Sequence, residues 1–173
     1  QSGNLSLELA RLLTDHGLGF SRFASLGNQA QLDAADLVTA CGAHEDSRVI
    51  AVYAEDFRDG RKFVHAARTA ASRGKPVVLL TVGSSEAATR QAASHTASLV
   101  SATAVVDAAC EAGGVIRVST PQQMVDVLAA VTAAVRPTGS RVAVLTDGGG
   151  HAAIAADVAE AHGLTVPAFS APL

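Results

Sequence analysis

An α/β fold built on a parallel sheet is the architecture this sequence predicts, on three observations. Short apolar or β-branched runs alternate with longer stretches of 3.6-residue periodicity, which is the pattern of βαβ units. Hydrophobic residues fill 49% of the chain but aromatics only 3%, with no Trp, so the core must come mainly from Ala, Val and Leu. The 173 residues suffice for one full α/β domain plus a fragment, or for two small domains.

The elements follow in order. Gln1-Ser2-Gly3-Asn4 reads as a turn that opens a helix carrying Leu5, Leu9, Leu12 and Leu13 at helical spacing. Such a turn normally follows a strand and no initiator Met is present, so the chain is expected to begin inside a larger protein; its end after Pro172 looks equally abrupt. Strands are expected from Gly19 to Ser25, Arg48 to Tyr53, Pro76 to Val82, Val115 to Val118 and Arg141 to Thr146. A helix from Arg61 to Arg73 places Phe63, Val64, Ala67, Ala70 and Ala71 on one face, and Gly74 stops it before Lys75-Pro76. Ser85 to Ala93 is polar and helix-like, and Ala104, Val105, Ala108 and Ala109 suggest the next helix. Thr120 as N-cap and Pro121 at the first position start a helix from Gln122 to Val135, with Met124 in its core-facing stripe.

Arg136-Pro137-Thr138-Gly139-Ser140 interrupts both periodicities. The expected organisation is therefore a first domain over 1–135, a linker over 136–140, and a first βαβ unit of a second domain over 141–173, too short to fold alone. That unit holds a strand, the triple glycine Gly148-Gly149-Gly150, and a helix carrying Ile154, Val158 and Ala161.

Composition excludes several functions. Thirteen basic against 16 acidic residues give a net charge of −3, and stacking aromatics are scarce, which disfavours nucleic acid as a partner. No apolar run approaches the roughly 18 residues of a membrane span, and no signal peptide opens the chain, so no membrane partner and a cytoplasmic location are expected. Cys41 and Cys110 have no metal-ligand or CxxC spacing and read as small core residues.

In open parallel sheets ligands gather at the carboxyl ends of strands. The loops expected there are Gln1-Ser2-Gly3-Asn4, Gly27-Asn28-Gln29, Glu55-Asp56 and Thr146-Asp147-Gly148-Gly149-Gly150. Ser2, Gly3 and Asn4, like Gly148, Gly149 and Gly150, stand at helix starts whose N–H groups and dipole suit a phosphate or carboxylate. Neither is a Walker A loop or a GxGxxG pattern. Gly27 and Asn28 are read as substrate contacts.

His95 lies in a connection between helical segments, inside the small-residue run QAASHTASLVSA. A neutral imidazole becomes nucleophilic when its other nitrogen donates to an acceptor, and Glu55 at a strand end is the natural one. The bland alternative is a histidine that caps the following helix or donates to a backbone carbonyl. His16, His44, His65 and His162 fall on helix faces or ends and are expected to be solvated; His151 lacks partners at metal-ligand spacing, and no metal site is expected.

Taken in order, QSGNL, GFSRFASLGNQAQLDAADL, YAEDFRDGRKF, KPVVLLTVGSSEAATRQAASHTASL, AGGVIRVST and VAVLTDGGGHAAIAADVAE resemble the NDP-forming acyl-CoA synthetases, which include ADP-forming acetyl-CoA synthetase and, more distantly, succinyl-CoA synthetase. The resemblance covers essentially the whole chain. It implies a flavodoxin-like, Rossmann-like three-layer parallel sheet followed by the start of a similar domain. It also implies part of an acid–CoA ligase that interconverts acyl-CoA, phosphate and ADP with a carboxylic acid, CoA and ATP. In that family the histidine of a Ser-His-Thr-Gly motif becomes phosphohistidine; His95 matches it, and Glu55 looks like the acid that pairs with the ring. The helix starts at Ser2-Gly3-Asn4 and Gly148-Gly149-Gly150 match those that face the phosphohistidine. ATP or ADP with Mg²⁺ would be bound outside this chain, by an ATP-grasp domain. A CoA-binding domain, in the same polypeptide or a partner subunit, would precede Gln1, and an oligomer is expected.

Three positions depart from the family pattern: Ala97 replaces the motif's glycine, Gly83-Ser84-Ser85 lacks an arginine, and Asp147 stands where Asn is frequent. They motivate an alternative, a catalytically degenerate domain that senses CoA or acyl-CoA or regulates a fused acetyltransferase. An aspartate-based phosphoacceptor on a similar sheet is disfavoured because no acidic cluster marks the first strand end.

Overall fold

A computed structural model describes residues 3–81 and 103–169. The chain divides into two compact units, Gln1–Ala133 and Ala134–Leu173.

The first unit is built on a parallel sheet of β1 (Ile50–Ala54), β2 (Val77–Thr81) and β3 (Val115–Val118), in that spatial order. Ile50 stands opposite Val77, and Val77 opposite Val115. The run Val77-Val78-Leu79-Leu80 is apolar without alternation because the central strand is buried on both faces. Side chains alternate across it. Val77 and Leu79 join Val38, Phe63, Ala67, Ala70 and Cys110 in one core, contributed by α2 (Ala34–Ala43), α3 (Gly60–Ser72) and α4 (Thr103–Gly113). Val78 and Leu80 join Leu9, Leu13, Met124, Val125 and Leu128 in the other, contributed by α1 (Gly3–Asp15) and α5 (Pro121–Thr132). Helices on both faces of a parallel sheet make this a three-layer α/β unit.

Local chemistry sets the helix ends. Asp33 and Asp36 form a reciprocal capping box at the start of α2. Asp59 accepts from Lys62 N–H at the start of α3, and Thr120 accepts from Gln123 N–H ahead of Pro121 in α5. Past Arg73, Gly74 takes φ +75° and Lys75 N–H returns to Ala70 O, which ends α3 where the sequence indicates.

The second unit contains α6 (Gly149–Ala161) and one parallel bridge between Arg141 and Thr165, with Val142 N–H donating to Thr165 O at 2.9 Å.

Several expectations need correction. Residues 19–25 form no strand; they run without helix or ladder pairing, and among the described residues none of their backbone N–H groups is bonded to backbone. The expected strand from Arg141 to Thr146 shrinks to the bridge at Arg141, and Leu145 is fully exposed. Ala66 rather than Ala71 completes the buried face of α3. His44 is not solvated. Its side chain is 19% exposed and its Nδ1 lies 3.0 Å from the Ser47 hydroxyl, because it stands at the C-cap of α2, three residues before the buried Ser47. Cys110 is buried as expected and Cys41 is half-buried against the same core. No helix among the described residues is long and apolar enough to cross a membrane.

Candidate functional site

The carboxyl ends of β1 and β2 bring the chemistry of the first unit together. Glu55 is the first residue beyond β1 and is half-buried. Its Oε1 accepts a hydrogen bond from the Tyr53 hydroxyl at 3.0 Å. Tyr53 is the only tyrosine of the chain, and its ring packs in the α1/α5 core while its oxygen reaches the strand end. Burial, then the hydrogen bond to Glu55 and that carboxylate's charge, push the phenol up to about 12, so Tyr53 is a permanent donor at neutral pH.

The next loop is tied to this one by a buried amide. Gln29 is 4% exposed; its Nε2 donates to Asp56 O at 3.0 Å and its Oε1 accepts from Ala34 N–H at 2.9 Å. One side chain therefore locks the Gly27-Asn28-Gln29 turn both to the loop after β1 and to the first turn of α2. The turn itself needs left-handed backbone at two places, φ +54° at Gly27 and φ +54° at Gln29. Glycine supplies the first without strain, and the two amide hydrogen bonds offset the cost of the second. Asn28 is exposed beside them.

At the end of β2, Thr81 Oγ1 accepts from Arg117 Nη2 at 3.1 Å. Arg117 rises from β3, is also ion-paired with Asp107 of α4, and keeps only 19% of its side chain exposed. A guanidinium is thus fixed at the carboxyl end of the sheet, where an anion would be drawn.

Of the residues singled out from sequence, Gly27, Asn28 and Glu55 fall on two loops that Gln29 joins. Gly3 and Asn4 begin α1, which covers the sheet face opposite α2 and α3. Among the described residues, a side chain at Gly3 would meet nothing within 4 Å. Gly148, Gly149 and Gly150 belong to the second unit. Gly148 is the N-cap of α6, and among the described residues side chains at Gly149 and Gly150 would likewise meet nothing within 4 Å. The His151 ring folds back so that its Nδ1 would lie 3.0 Å from a Cβ at Gly148, and a side chain there would have to displace the ring. His95 and Ser2 lie outside the described residues.

Sequence reasoning missed Tyr53 and Arg117, and named Gln29 only as part of the Gly27-Asn28-Gln29 loop. Two signals were available: a lone tyrosine two residues before the flagged glutamate, and an arginine inside the apolar strand Val115-Ile116-Arg117-Val118. The bridging role of Gln29 left no signal, because it depends on the backbone atoms that meet it. Among the described residues no group of three or more His, Cys, Asp or Glu side chains converges as a metal site.

Residues 1–131 match the family described as the succinyl-CoA ligase like flavodoxin domain. The α subunit of ADP-forming acetate–CoA ligase II from Pyrococcus furiosus is 37% identical over 164 residues, which are 95% of this chain and 35% of that protein. The ADP-forming 4-hydroxybutyrate–CoA ligase of Nitrosopumilus maritimus is 31% identical over 158 residues, covering 91% of this chain and 23% of that protein. Among solved structures, the dinucleotide forming acetyl-coenzyme A synthetase 1 of Ca. Korarchaeum cryptofilum, in complex with phosphate and ADP, superposes with a TM-score of 0.84 at 30% identity. That superposition covers 96% of this chain and 36% of that one. The chain thus spans about a third or less of the length of these relatives. The fold is flavodoxin-like, as the motifs had implied.

Proposed function

Because this chain belongs to the family of succinyl-CoA ligase like flavodoxin domains, we propose that it is the phosphoryl-carrying part of an ADP-forming acid–CoA ligase. The observation that supports this best is Glu55, set at the end of β1 and held there by the Tyr53 hydroxyl at 3.0 Å. A carboxylate so placed can take the N–H of an imidazole, fixing its tautomer and favouring the positive charge that develops as the other nitrogen attacks.

The ring is that of His95. Its nitrogen attacks the phosphorus of an acyl phosphate; the N–P bond forms as the P–O bond to the acyl group breaks, and the carboxylate leaves. Transfer onward to ADP reverses the roles, an O–P bond forming as the N–P bond breaks. The ring N–H stays on the imidazole and donates to the Glu55 carboxylate throughout. Carboxylates accept more than one hydrogen bond, so Tyr53 and the imidazole can share it. In the first unit the helix start at Ser2, Gly3 and Asn4 suits phosphoryl oxygens, the dipole of α1 offsetting their charge; in the second unit Gly148, Gly149 and Gly150 at the start of α6 suit an anion in the same way. Gly27 and Asn28 contact the substrate.

CoA and the nucleotide with Mg²⁺ are substrates held by other domains, a CoA-binding domain and an ATP-grasp domain, in the same polypeptide or a partner subunit. Residues 141–173 open a second domain like the first, and the ligase works in the cytoplasm as an oligomer. The matched relatives carry ligase names, which favours catalysis over the sensing alternative. The test is acid-labile, base-stable labelling of the ligase containing this chain, with radiolabelled phosphate plus acyl-CoA or with ATP and Mg²⁺. His95→Ala should abolish the label, and Glu55→Gln should slow it on the order of a hundredfold. A wild type that never labels removes the reading, and equal rates in Glu55→Gln remove the role given to that carboxylate.

A further inference from the structure

Arg117 of β3 stands opposite Leu79 of β2, so its side chain shares the sheet face of Val77 and Leu79, the face that α4 covers. A guanidinium among apolar neighbours, with 19% of its side chain exposed, has lost most of its water and needs partners in the protein. It has two, on different elements. Nη2 donates to Thr81 Oγ1 at 3.1 Å, and Nη1 donates to Asp107 Oδ1.

The positions of those partners along the chain give the contact its meaning. Thr81 is the last residue of β2, and Asp107 lies in the second turn of α4, which starts at Thr103. Residues 82–102, His95 among them, run between these two elements. One side chain of β3 therefore holds both flanks of the stretch that carries His95. Few other contacts fix the start of α4. Its buried positions are Cys110 and Gly113, both in the second half, while Val105 is 63% exposed and Val106 is only partly buried. A fully exposed ion pair would hold the helix weakly. Here the guanidinium is withdrawn from water and oriented by a second partner, which makes the pair stronger and directional.

We propose that Arg117 is a positioning residue for phosphoryl transfer: its guanidinium clamps Thr81 to Asp107 and so fixes, one against the other, the two elements between which His95 is strung. It touches no reacting atom. The consequence for rate rests on the phosphohistidine reading, whereas the clamp itself rests on the two contacts. Arginine suits the task because its rigid fork aims separate N–H arms at partners on different elements, which the point charge of a lysine does not do. Attack by the imidazole depends steeply on geometry, a displacement of about 1 Å costing on the order of a hundredfold. Release of either flank is thus read in rate rather than in affinity.

The test compares wild type with Arg117→Met, Thr81→Val and Asp107→Ala in the ligase containing this chain, labelled in a single turnover by radiolabelled ATP with Mg²⁺. Arg117→Met should lower the maximal labelling rate by ~10- to 100-fold and leave the half-saturating ATP concentration within about twofold. A raised ATP requirement at an unaltered maximal rate would make Arg117 a substrate ligand and overturn the clamp, as would labelling that does not change at all. Thr81→Val and Asp107→Ala should each slow labelling, and neither should add to the loss in the Arg117→Met background, because the three side chains act as one unit. Fully additive losses overturn that unit.

Amide exchange in the same ligase separates the clamp from the phosphohistidine reading. Arg117→Met should speed exchange at Ala108 and Ala109 by about tenfold or more and leave Gly113 as it is, since the second half of α4 keeps its own burial. A wild type that never labels removes the phosphohistidine reading and leaves the clamp to exchange: protection lost only toward the start of α4 supports it, and protection unchanged or lost evenly along the chain overturns it. If Arg117→Met does not fold, Asp107→Ala carries both measurements, because the Asp107 side chain is 59% exposed and its loss leaves no cavity.

Discussion

At the scale of single residues, Tyr53 and Gln29 decide how rigidly the loop after β1 holds Glu55. The Tyr53 phenol has its pKa raised from near 10 to about 12, chiefly by burial and then by Glu55. A raised pKa means the native state binds the proton more tightly, so its contribution to stability is fully present below pH ~10 and disappears as pH climbs toward 12. The wild type should therefore lose stability more steeply between about pH 10 and 12 than Tyr53→Phe, as read from urea midpoints; parallel curves would show that Glu55 and burial do not hold the phenol. At neutral pH the same variant should slow His95 labelling while leaving acyl-CoA affinity unchanged. Gln29→Ala removes one hydrogen bond to Ala34 N–H and one to Asp56 O, and should cost about 1–3 kcal/mol in a denaturant titration. Glu55 was visible in the sequence because a charge that ends an apolar strand is conspicuous. Tyr53 was marked only by being a lone tyrosine two positions before Glu55, whereas Gln29 acts through groups five and 27 positions away, and no local pattern encodes those meetings.

Elements divide by where their stability originates. Helices α3 and α5 were legible because caps, stops and apolar stripes are written into their own residues: Asp59 and Gly74 bound one, Thr120 and Pro121 open the other. Residues 19–25 carry a strand's composition but no ladder, because a strand is completed by its neighbours rather than by its own propensity. Between helices, close approach is the controlling variable. Gly42 of α2 is buried so near α3 that a Cβ there would lie 3.3 Å from the Ala70 Cβ and 3.6 Å from its Cα. Gly42→Leu has no room to fill, and should destabilise the first unit by about 1–3 kcal/mol through overpacking. Lys62 reinforces the same pair of helices from outside, reaching Asp33 at 3.0 Å and Asp36 at 2.7 Å. A Gly42→Leu chain with an unaltered unfolding midpoint would mean α2 and α3 can separate without loss, contrary to the packing.

For the whole molecule, the distribution of burial predicts unequal stability. The first unit has apolar cores on both sides of a sheet whose central strand is fully covered. In the second unit Ala159 is the one buried residue among those described, while Leu145, Ile154 and Val158 are 100%, 63% and 54% exposed. Local opening costs little where few apolar contacts must be broken, and approaches the global value where the core is continuous. Amides of α6 should consequently exchange through local opening at low denaturant, while those of Val78 and Leu79 exchange only with global unfolding of the first unit. Brief proteolysis should cut first within 134–148, where the described chain has no helix, and leave a fragment close to Gln1–Ala133. Because that fragment keeps both cores, its midpoint should stay within a few degrees of the parent's. Simultaneous loss of both units, with α6 protected as strongly as β2, would show that burial within each unit does not set its stability.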